Sequence, residues 1–231
     1  MGNDFLVASY DKDFENMLSY AKEHDLKLLL ISPSTMADFK VDIYDKGVKS
    51  NSNSLPAAIA SGAYLICKKG LPLDEIVIET DDGSIQIFNT DGILSLLFVA
   101  KSKRMFTQKS AFVKGCEIEY SDIDISQIVR IIEVENFSGF DKKVLPSFSF
   151  LSTEHLPSAV VFAKISENKI EAASYTDFSF SPASRLTIAA ALSSYCQRRM
   201  GLKKEIVVDG FSCNAMFGST GVLLQVVPEI N

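Results

Sequence analysis

Histidine and cysteine are scarce in this chain, which limits the metal and nucleophile chemistry that it can support. Its 231 residues include two histidines, His24 and His155, and four cysteines, at positions 67, 116, 196 and 213. No two cysteines form a Cys-x-x-Cys pair, whereas structural zinc sites use clustered ligand pairs. We therefore expect no zinc site and no cofactor. Dispersed cysteines of this kind are typical of a reduced, cytoplasmic protein.

The sequence also lacks a basic surplus and long apolar runs. The formal net charge is −6, from 23 basic and 29 acidic side chains, whereas nucleic-acid-binding proteins need a positive surface. The basic stretch 101–114 is followed by an acidic stretch at 117–124, and we interpret both as solvated segments. No apolar run reaches the roughly 18 residues that cross a bilayer, and the N-terminus has no signal-peptide pattern. These absences predict a protein that binds neither nucleic acid nor membrane.

What the sequence does contain is an ordinary globular composition. Hydrophobic residues make up 47% of the chain and charged residues 23%, with 12 glycines and 7 prolines. This balance excludes a disordered or low-complexity chain. The length suits one large domain or two small ones of roughly 110 residues each.

Two segments of the chain resemble each other at a nearly constant spacing. Gly70 corresponds to Gly201, 131 residues later, and Phe88 corresponds to Phe217, 129 residues later. Between these points, Glu75 corresponds to Glu205, 130 residues later. So small a drift predicts an internal repeat, with one structural unit built twice.

An alanine-rich apolar stretch precedes each repeated glycine and predicts a helix. The two helices are predicted at residues 55–69 and 182–199. A serine near the cap and a proline in the first turn favour a helix start, and glycine favours a stop. The residues at the two starts are Ser54, Leu55, Pro56, Ser181 and Pro182. Small residues on most faces indicate that each helix is central and buried.

Alternating apolar residues predict strands before and after each helix. The predicted strands lie at residues 26–32, 39–44, 75–79, 84–88 and 93–99, at 127–135, and at 159–166, 169–175, 205–208, 213–216 and 221–227. The repeat therefore predicts several antiparallel strands wrapped around one buried helix, built twice. We place the two domains at residues 1–112 and 113–231.

This arrangement resembles the diaminopimelate epimerase family over nearly the whole chain. The matching segments are Gly2-Asn3-Asp4-Phe5 near the N-terminus, residues 28–39 and residues 169–175. The resemblance implies an α+β fold of two pseudo-symmetric antiparallel β-barrels, each enclosing a central α-helix. It also implies an active site in a cleft between the barrels.

The catalytic residues of that family do not carry over. Its members use two cysteines, one at the start of each central helix, as acid and base on opposite faces of an α-carbon. The corresponding places here are Leu55–Ala58 and Ala183–Leu186, and neither contains a thiol. Tyr44 and Tyr175 replace ligand side chains of the family. Asn3 is the one ligand position retained.

A second resemblance is to the phenazine-biosynthesis isomerases, which share this fold and use a carboxylate instead of thiols. Ser181-Pro182-Ala183-Ser184 is similar to the start of their second helix, but serine stands here in place of the acid before proline. Leu156-Pro157-Ser158 is a weak echo of the Asn-Pro-His motif of diaminopimelate epimerases. Neither resemblance therefore supplies an acid–base pair.

The two helix starts remain candidates for binding a small carboxylate or phosphate. Free backbone N–H groups and the positive end of a helix attract anions. The predicted ligand-binding residues are Asn3, Ser54, Leu55, Pro56, Ser181, Ala183 and Ser184. The alternative is simple helix capping, with the cleft filled by Leu55. Asp45 and Asp177 end equivalent strands, either as acid–base groups or as solvated carboxylates.

Three functions stay open from the sequence. The first is an epimerase-like pseudoenzyme that binds a small ligand or serves in assembly, with a homodimer as one candidate state. The second is a cofactor-independent isomerase of altered mechanism acting on a small amino or carboxylic acid. The third is a true diaminopimelate epimerase of lysine biosynthesis. A buried carboxylate of raised pKa would favour the second, and a facing cysteine pair would establish the third.

Overall fold

The chain divides into two compact units, Met1–Phe98 with Gln225–Asn231, and Val99–Leu224. The computed structural model describes residues 5–10, 13–50, 54–71, 74–81, 83–90, 93–98, 107–113, 116–125, 127–137, 156–177, 179, 182–196, 203–217 and 222–226. None of the helices in these ranges has the length and apolar character needed to cross a bilayer.

The described residues of the first unit form a mixed sheet with two helices. Its strands are β1 (Phe5–Ser9), β2 (Lys27–Pro33), β3 (Phe39–Asp45), β4 (Val48–Ser50), β5 (Glu75–Thr80), β6 (Gly83–Thr90) and β7 (Ile93–Phe98). Its helices are α1 (Phe14–Glu23) and α2 (Ser54–Ala63), and α2 continues as a π-helical turn, Tyr64–Lys68. The strand order is β1-β2-β3-β5-β6-β7, with β4 paired to β3.

The second unit repeats this plan with one described helix. Its elements are β8 (Thr107–Val113), β9 (Cys116–Ile125), β10 (Gln127–Glu133), β11 (Ala159–Ile165), β12 (Lys169–Tyr175), α3 (Arg185–Cys196), β13 (Lys203–Val208) and β14 (Phe211–Phe217). The strand order is β14-β13-β12-β11-β10-β9-β8. The last described strand, β15 (Val222–Val226), spans the boundary between the two units, which falls after Leu224.

The sequence prediction placed the domain boundary between residues 112 and 113, whereas the two units divide after Phe98. The predicted boundary falls inside β8, which pairs with β9 along its whole length, from Thr107 to Val113. A division there would cut a hairpin, whose two strands satisfy each other's backbone hydrogen bonds.

The strand pairing confirms the internal repeat and corrects the prediction of purely antiparallel sheets. In the first unit β1 and β2 are parallel, β2 and β3 antiparallel, β3 and β5 parallel, and β5 and β6 antiparallel. The second unit has the same succession in β10, β11, β12, β13 and β14. The parallel pairs β3–β5 and β12–β13 follow from the central helices, because a helix carries the chain back before the next strand begins. The sheet is therefore mixed.

Both predicted central helices are present. Helix α2 begins one residue before the predicted start, and Gly70 follows it with a φ of 66°, the left-handed conformation that glycine adopts after a helix. Helix α3 begins at Arg185, three residues after the predicted start. Residues 197–201, which contain the predicted end of this helix, lie outside the described part of the chain.

Each central helix is buried against its own sheet. In α2 the backbone approaches the sheet at Gly62, where an added Cβ would lie 2.9 Å from Cδ1 of Ile87 and 3.9 Å from Cγ2 of Ile76. In α3 every residue from Leu186 to Cys196 is buried. Burial of this extent stabilises helices whose intrinsic propensity alone would not suffice at 10 and 12 residues.

Candidate functional site

The start of α2 is apolar and buried. Ser54 and Leu55 are 2% and 5% exposed, and Pro56 is buried beside them. Proline fits the first turn because its missing N–H would have no partner within the helix. The sequence therefore predicted this helix start correctly. Its first five residues, Ser54–Ala58, carry no acid, base or thiol.

The start of α3 is closed by a serine cap. The backbone N–H of Thr187 donates to Oγ of Ser184 over 3.0 Å, and Oγ1 of Thr187 lies 2.9 Å from the same oxygen. Ser184 therefore occupies the cap position, and Pro182 precedes the helix instead of lying in its first turn. This explains why the helix starts later than predicted. It also means that the Ser184 hydroxyl is engaged in capping.

The segment before β11 lies against this helix start. The N–H of Ala183 donates to the carbonyl oxygen of Ser158 over 3.2 Å, and the N–H of Ser158 donates to that of Ile128 over 2.7 Å. Leu156-Pro157-Ser158, a weak motif in the sequence, is thus adjacent to the start of α3. The side chain of Ala183 is buried at 7% exposure and contributes no polar group.

Arg185, the first residue of α3, is the charged group that sequence reasoning missed. Its side chain is partly buried, and its guanidinium makes no ion pair or hydrogen bond within the described ranges. A cation at a helix N-terminus is unfavourable because the N-terminal end of the helix dipole is itself positive. The signal was present in the sequence, since Arg185 is the one charged residue between positions 182 and 196. The start of α3 therefore carries a cation in addition to the positive helix end, whereas Ser54–Ala58 at the start of α2 carries no charged side chain.

No described contact places Asp45 or Asp177, the two carboxylates considered from the sequence, at a helix start. Asp45 ends β3 and pairs with Lys27, with 3.2 Å between Nζ and Oδ2 and the carboxylate side chain 38% exposed. Asp177 is exposed after β12. Asn3 and Ser181, two of the predicted ligand residues, lie outside the described residues.

None of the described cysteines belongs to the first turn of either central helix. Cys196 ends α3, about 16 Å along the axis from Arg185, and Cys116 is exposed on β9. Cys213 is buried on β14, and its burial raises the pKa of the thiol to about 12. A thiol with that pKa stays protonated at neutral pH and cannot act as a base.

The two tyrosines that replace family ligands lie on the sheet faces away from the central helices. Tyr44 pairs with Leu28 and packs edge-on against Phe14 of α1, with 5.1 Å between ring centroids. Burial, and secondarily the nearby Asp42 carboxylate, raise the pKa of Tyr44. Tyr175 pairs with Val160 at the equivalent place. Since side chains alternate along a strand, neither tyrosine faces its helix start.

Comparison with known proteins finds similar structures and no match by sequence. No family model and no curated protein matches the sequence. A putative phenazine biosynthesis PhzC/PhzF protein from Clostridium difficile strain 630 matches with a TM-score of 0.66 and 10% identity, over 98% of this chain and 92% of that one. A PhzF-family protein from Enterococcus faecalis matches with a TM-score of 0.66 and 11% identity, over 96% and 86%.

A further similar structure is an epimerase with its ligand bound. The hydroxyproline epimerase from Agrobacterium vitis, solved with trans-4-hydroxy-L-proline, matches with a TM-score of 0.56 and 13% identity, over 86% of this chain and 70% of that one. The chain shares the fold of these proteins. This confirms the sheet-rich, mixed α/β fold class that PhzF-type and diaminopimelate epimerase-like proteins have in common.

Proposed function

We propose that this protein binds a small carboxylic acid at the start of α3 and does not catalyse cysteine-dependent racemisation. The observation that carries the proposal is Arg185, which lies partly buried at a positive helix end and has no ion pair or hydrogen bond to any described residue. An anion there would meet both a guanidinium, which pairs with carboxylates through two parallel hydrogen bonds, and the N-terminal end of the helix dipole. Phosphate would satisfy the same groups, and the experiment below separates the two.

The absence of thiol chemistry rests on the residues at the helix starts. Ser184 is engaged as a cap, Leu55 and Ala183 are apolar, and the buried Cys213 keeps its proton. Inverting an α-carbon requires two groups that exchange protons near neutral pH. The described helix starts offer none, which supports the interpretation as a pseudoenzyme of the diaminopimelate epimerase type with one barrel in each unit.

A second candidate is a cofactor-independent isomerase that uses carboxylates in place of thiols. The fold it shares with the hydroxyproline epimerase and the PhzF-type proteins favours this candidate. Asp45, paired with Lys27 on the face of β3 opposite to Tyr44, is the first residue to test as its base. In both candidate functions the protein binds a small carboxylate. They differ in whether a proton is then removed from the bound acid.

Binding can be tested by thermal shift with proline, hydroxyproline, dicarboxylates and phosphate at low and high ionic strength. A helix end contributes about 0.3–2 kcal/mol to holding a charge, so we expect a weak stabilisation that falls with salt. Arg185→Gln should abolish it. Lys164→Gln, which removes an exposed cation of the same unit, should leave it unchanged. A shift with phosphate alone, or an equal shift in Arg185→Gln, would contradict the proposal.

Catalysis can be tested by NMR of the α-proton of the same acids in heavy water. We expect no protein-dependent loss of the α-proton signal. Loss that a cysteine-blocking reagent prevents would identify a true epimerase. Loss that survives the reagent and disappears in Asp45→Asn would establish the second candidate instead.

A further inference from the structure

The hairpin turn between β13 and β14 consists of Asp209 and Gly210. Val208 and Phe211 pair on either side of it, so two residues make the whole connection. Both turn residues have positive φ angles, 47° and 83°, as in a type I′ turn, whose geometry suits the right-handed twist of the two strands. Both are also exposed. The peptide bond between them is therefore accessible to water.

An aspartate followed by glycine is a chemically reactive pair. The amide nitrogen of the glycine can attack the side-chain carboxyl carbon of the aspartate, giving up its proton to solvent while a carboxyl oxygen leaves as water. Hydrolysis of the resulting five-membered succinimide takes up one water and opens either of its two carbonyl carbons. One product is the original aspartate, and the other is isoaspartate, whose main chain runs through the former side chain. Glycine permits this attack because it has no side chain to crowd its nitrogen.

The carboxylate of Asp209 is held on the neighbouring strand β12. The N–H of Ser174 donates to its Oδ1 over 3.1 Å and to its Oδ2 over 3.3 Å, and the Ser174 hydroxyl also donates to Oδ2. The N–H of Asp209 donates in turn to the carbonyl oxygen of Ala172 over 3.1 Å. Asp209 is therefore fastened to β12 both by its backbone and by its two carboxylate oxygens.

The end of the parallel ladder between β12 and β13 explains this contact. Ala172 and Val208 are the last paired residues, after which β13 turns into its hairpin while β12 continues to Tyr175. The N–H of Ser174 lies beyond the last backbone acceptor of β13, and a backbone donor needs an acceptor. The side chain of Asp209 supplies one in place of the missing carbonyl group.

We propose that Asp209-Gly210 is a latent site of aspartate isomerisation and that Ser174 keeps it closed. To meet the nitrogen of Gly210, the carboxyl group of Asp209 has to give up its bonds to Ser174. Isomerisation would lengthen the main chain of the turn by one carbon atom and withdraw the acceptor from the N–H of Ser174. The modification would therefore release the end of β12 from β13.

The test compares the wild type with Ser174→Ala, Ser174→Thr and Ser212→Ala after long incubation of the folded proteins at neutral pH. Ser174→Thr keeps the hydroxyl. Ser212→Ala is the matched control, because it removes a hydroxyl two residues after the turn that donates to Glu205 instead, over 3.2 Å. Isoaspartate is measured in each peptide by mass spectrometry after proteolysis. The other two Asp-Gly pairs of the chain, at 82–83 and 91–92, serve as internal references.

We expect isoaspartate at position 209 to form several-fold faster in Ser174→Ala than in the wild type, with no change at the two reference pairs. Ser174→Thr and Ser212→Ala should behave as the wild type. All four proteins should react equally at position 209 when unfolded in urea, where Ser174 no longer holds the carboxylate. Equal rates in folded Ser174→Ala and wild type would overturn the proposal. An equal rise at all three Asp-Gly pairs would also overturn it, because such a rise indicates general unfolding.

Discussion

The two central helices occupy equivalent places in a repeated fold, yet they begin and pack differently. Helix α2 starts with buried, uncharged Ser54 and Leu55, whereas α3 starts with a capping Ser184 followed by Arg185. Counted from the two starts, Gly62 of α2 corresponds to Ser193 of α3, whose hydroxyl donates to the carbonyl of Ala189 over 2.7 Å. The difference teaches that the repeat preserves the helix and its burial, while the helix start and the residue at this helix position have diverged.

The largest effect is expected from the core of α3. Ile188 is 1% exposed, and Ile188→Ala should lower the free energy of unfolding by about 2–5 kcal/mol through the lost burial and the cavity left behind. The measurement is denaturant unfolding. The control is Leu156→Ala, which truncates a side chain that is 60% exposed and should change stability little. Equal effects of the two variants would contradict the packing described for α3.

A smaller effect is expected from the close approach of α2 to β6. Gly62→Val would place Cβ 2.9 Å from Cδ1 of Ile87, and overpacking of this kind costs about 1–3 kcal/mol. Ser193→Val, at the corresponding place in α3, tests whether that helix lies as close to its own sheet. If both substitutions lower the free energy of unfolding by the same amount, the space between helix and sheet does not distinguish the two helices at this position.

The smallest effect on stability is expected from the cap of α3. Ser184→Ala should lower the free energy of unfolding by about 1 kcal/mol, because the N–H of Thr187 loses its acceptor. Ser184→Asp should keep the cap and therefore the stability. Its added negative charge beside Arg185 should nevertheless abolish the thermal shift by carboxylates. Retained binding in Ser184→Asp would show that the anion does not lie at this helix start.

Much of the fold follows from local patterns in the sequence. The repeat and both helices were predictable because the serine, proline and glycine signals act on the nearest turn of the chain. The start of α2 was predicted within one residue on this basis. The start of α3 was not, because two serines precede it and the choice between them depends on which hydroxyl reaches an N–H of the first turn. Ser184 reaches that of Thr187.

The candidate site was less predictable. The helix starts were identified from the sequence, but their residues were judged by resemblance to known families. Arg185 was therefore passed over, although it matters because its side chain has no described partner. It also aligned Tyr44 and Tyr175 with ligand positions, whereas the structure turns both away from the helices. The sheet face on which a side chain lies depends on strand register, and a shift of one residue moves the side chain to the other face.

By itself, the sequence determined that this is a repeated fold with two buried helices and that neither described helix start carries a thiol. These properties depend on residue identity and on spacing along the chain. Only the tertiary structure decided which strands are parallel, which serine caps α3, and that the carboxylate of Asp209 binds Ser174. Each of these depends on contacts between segments distant in sequence, where register and burial select one partner among several that local propensity allows.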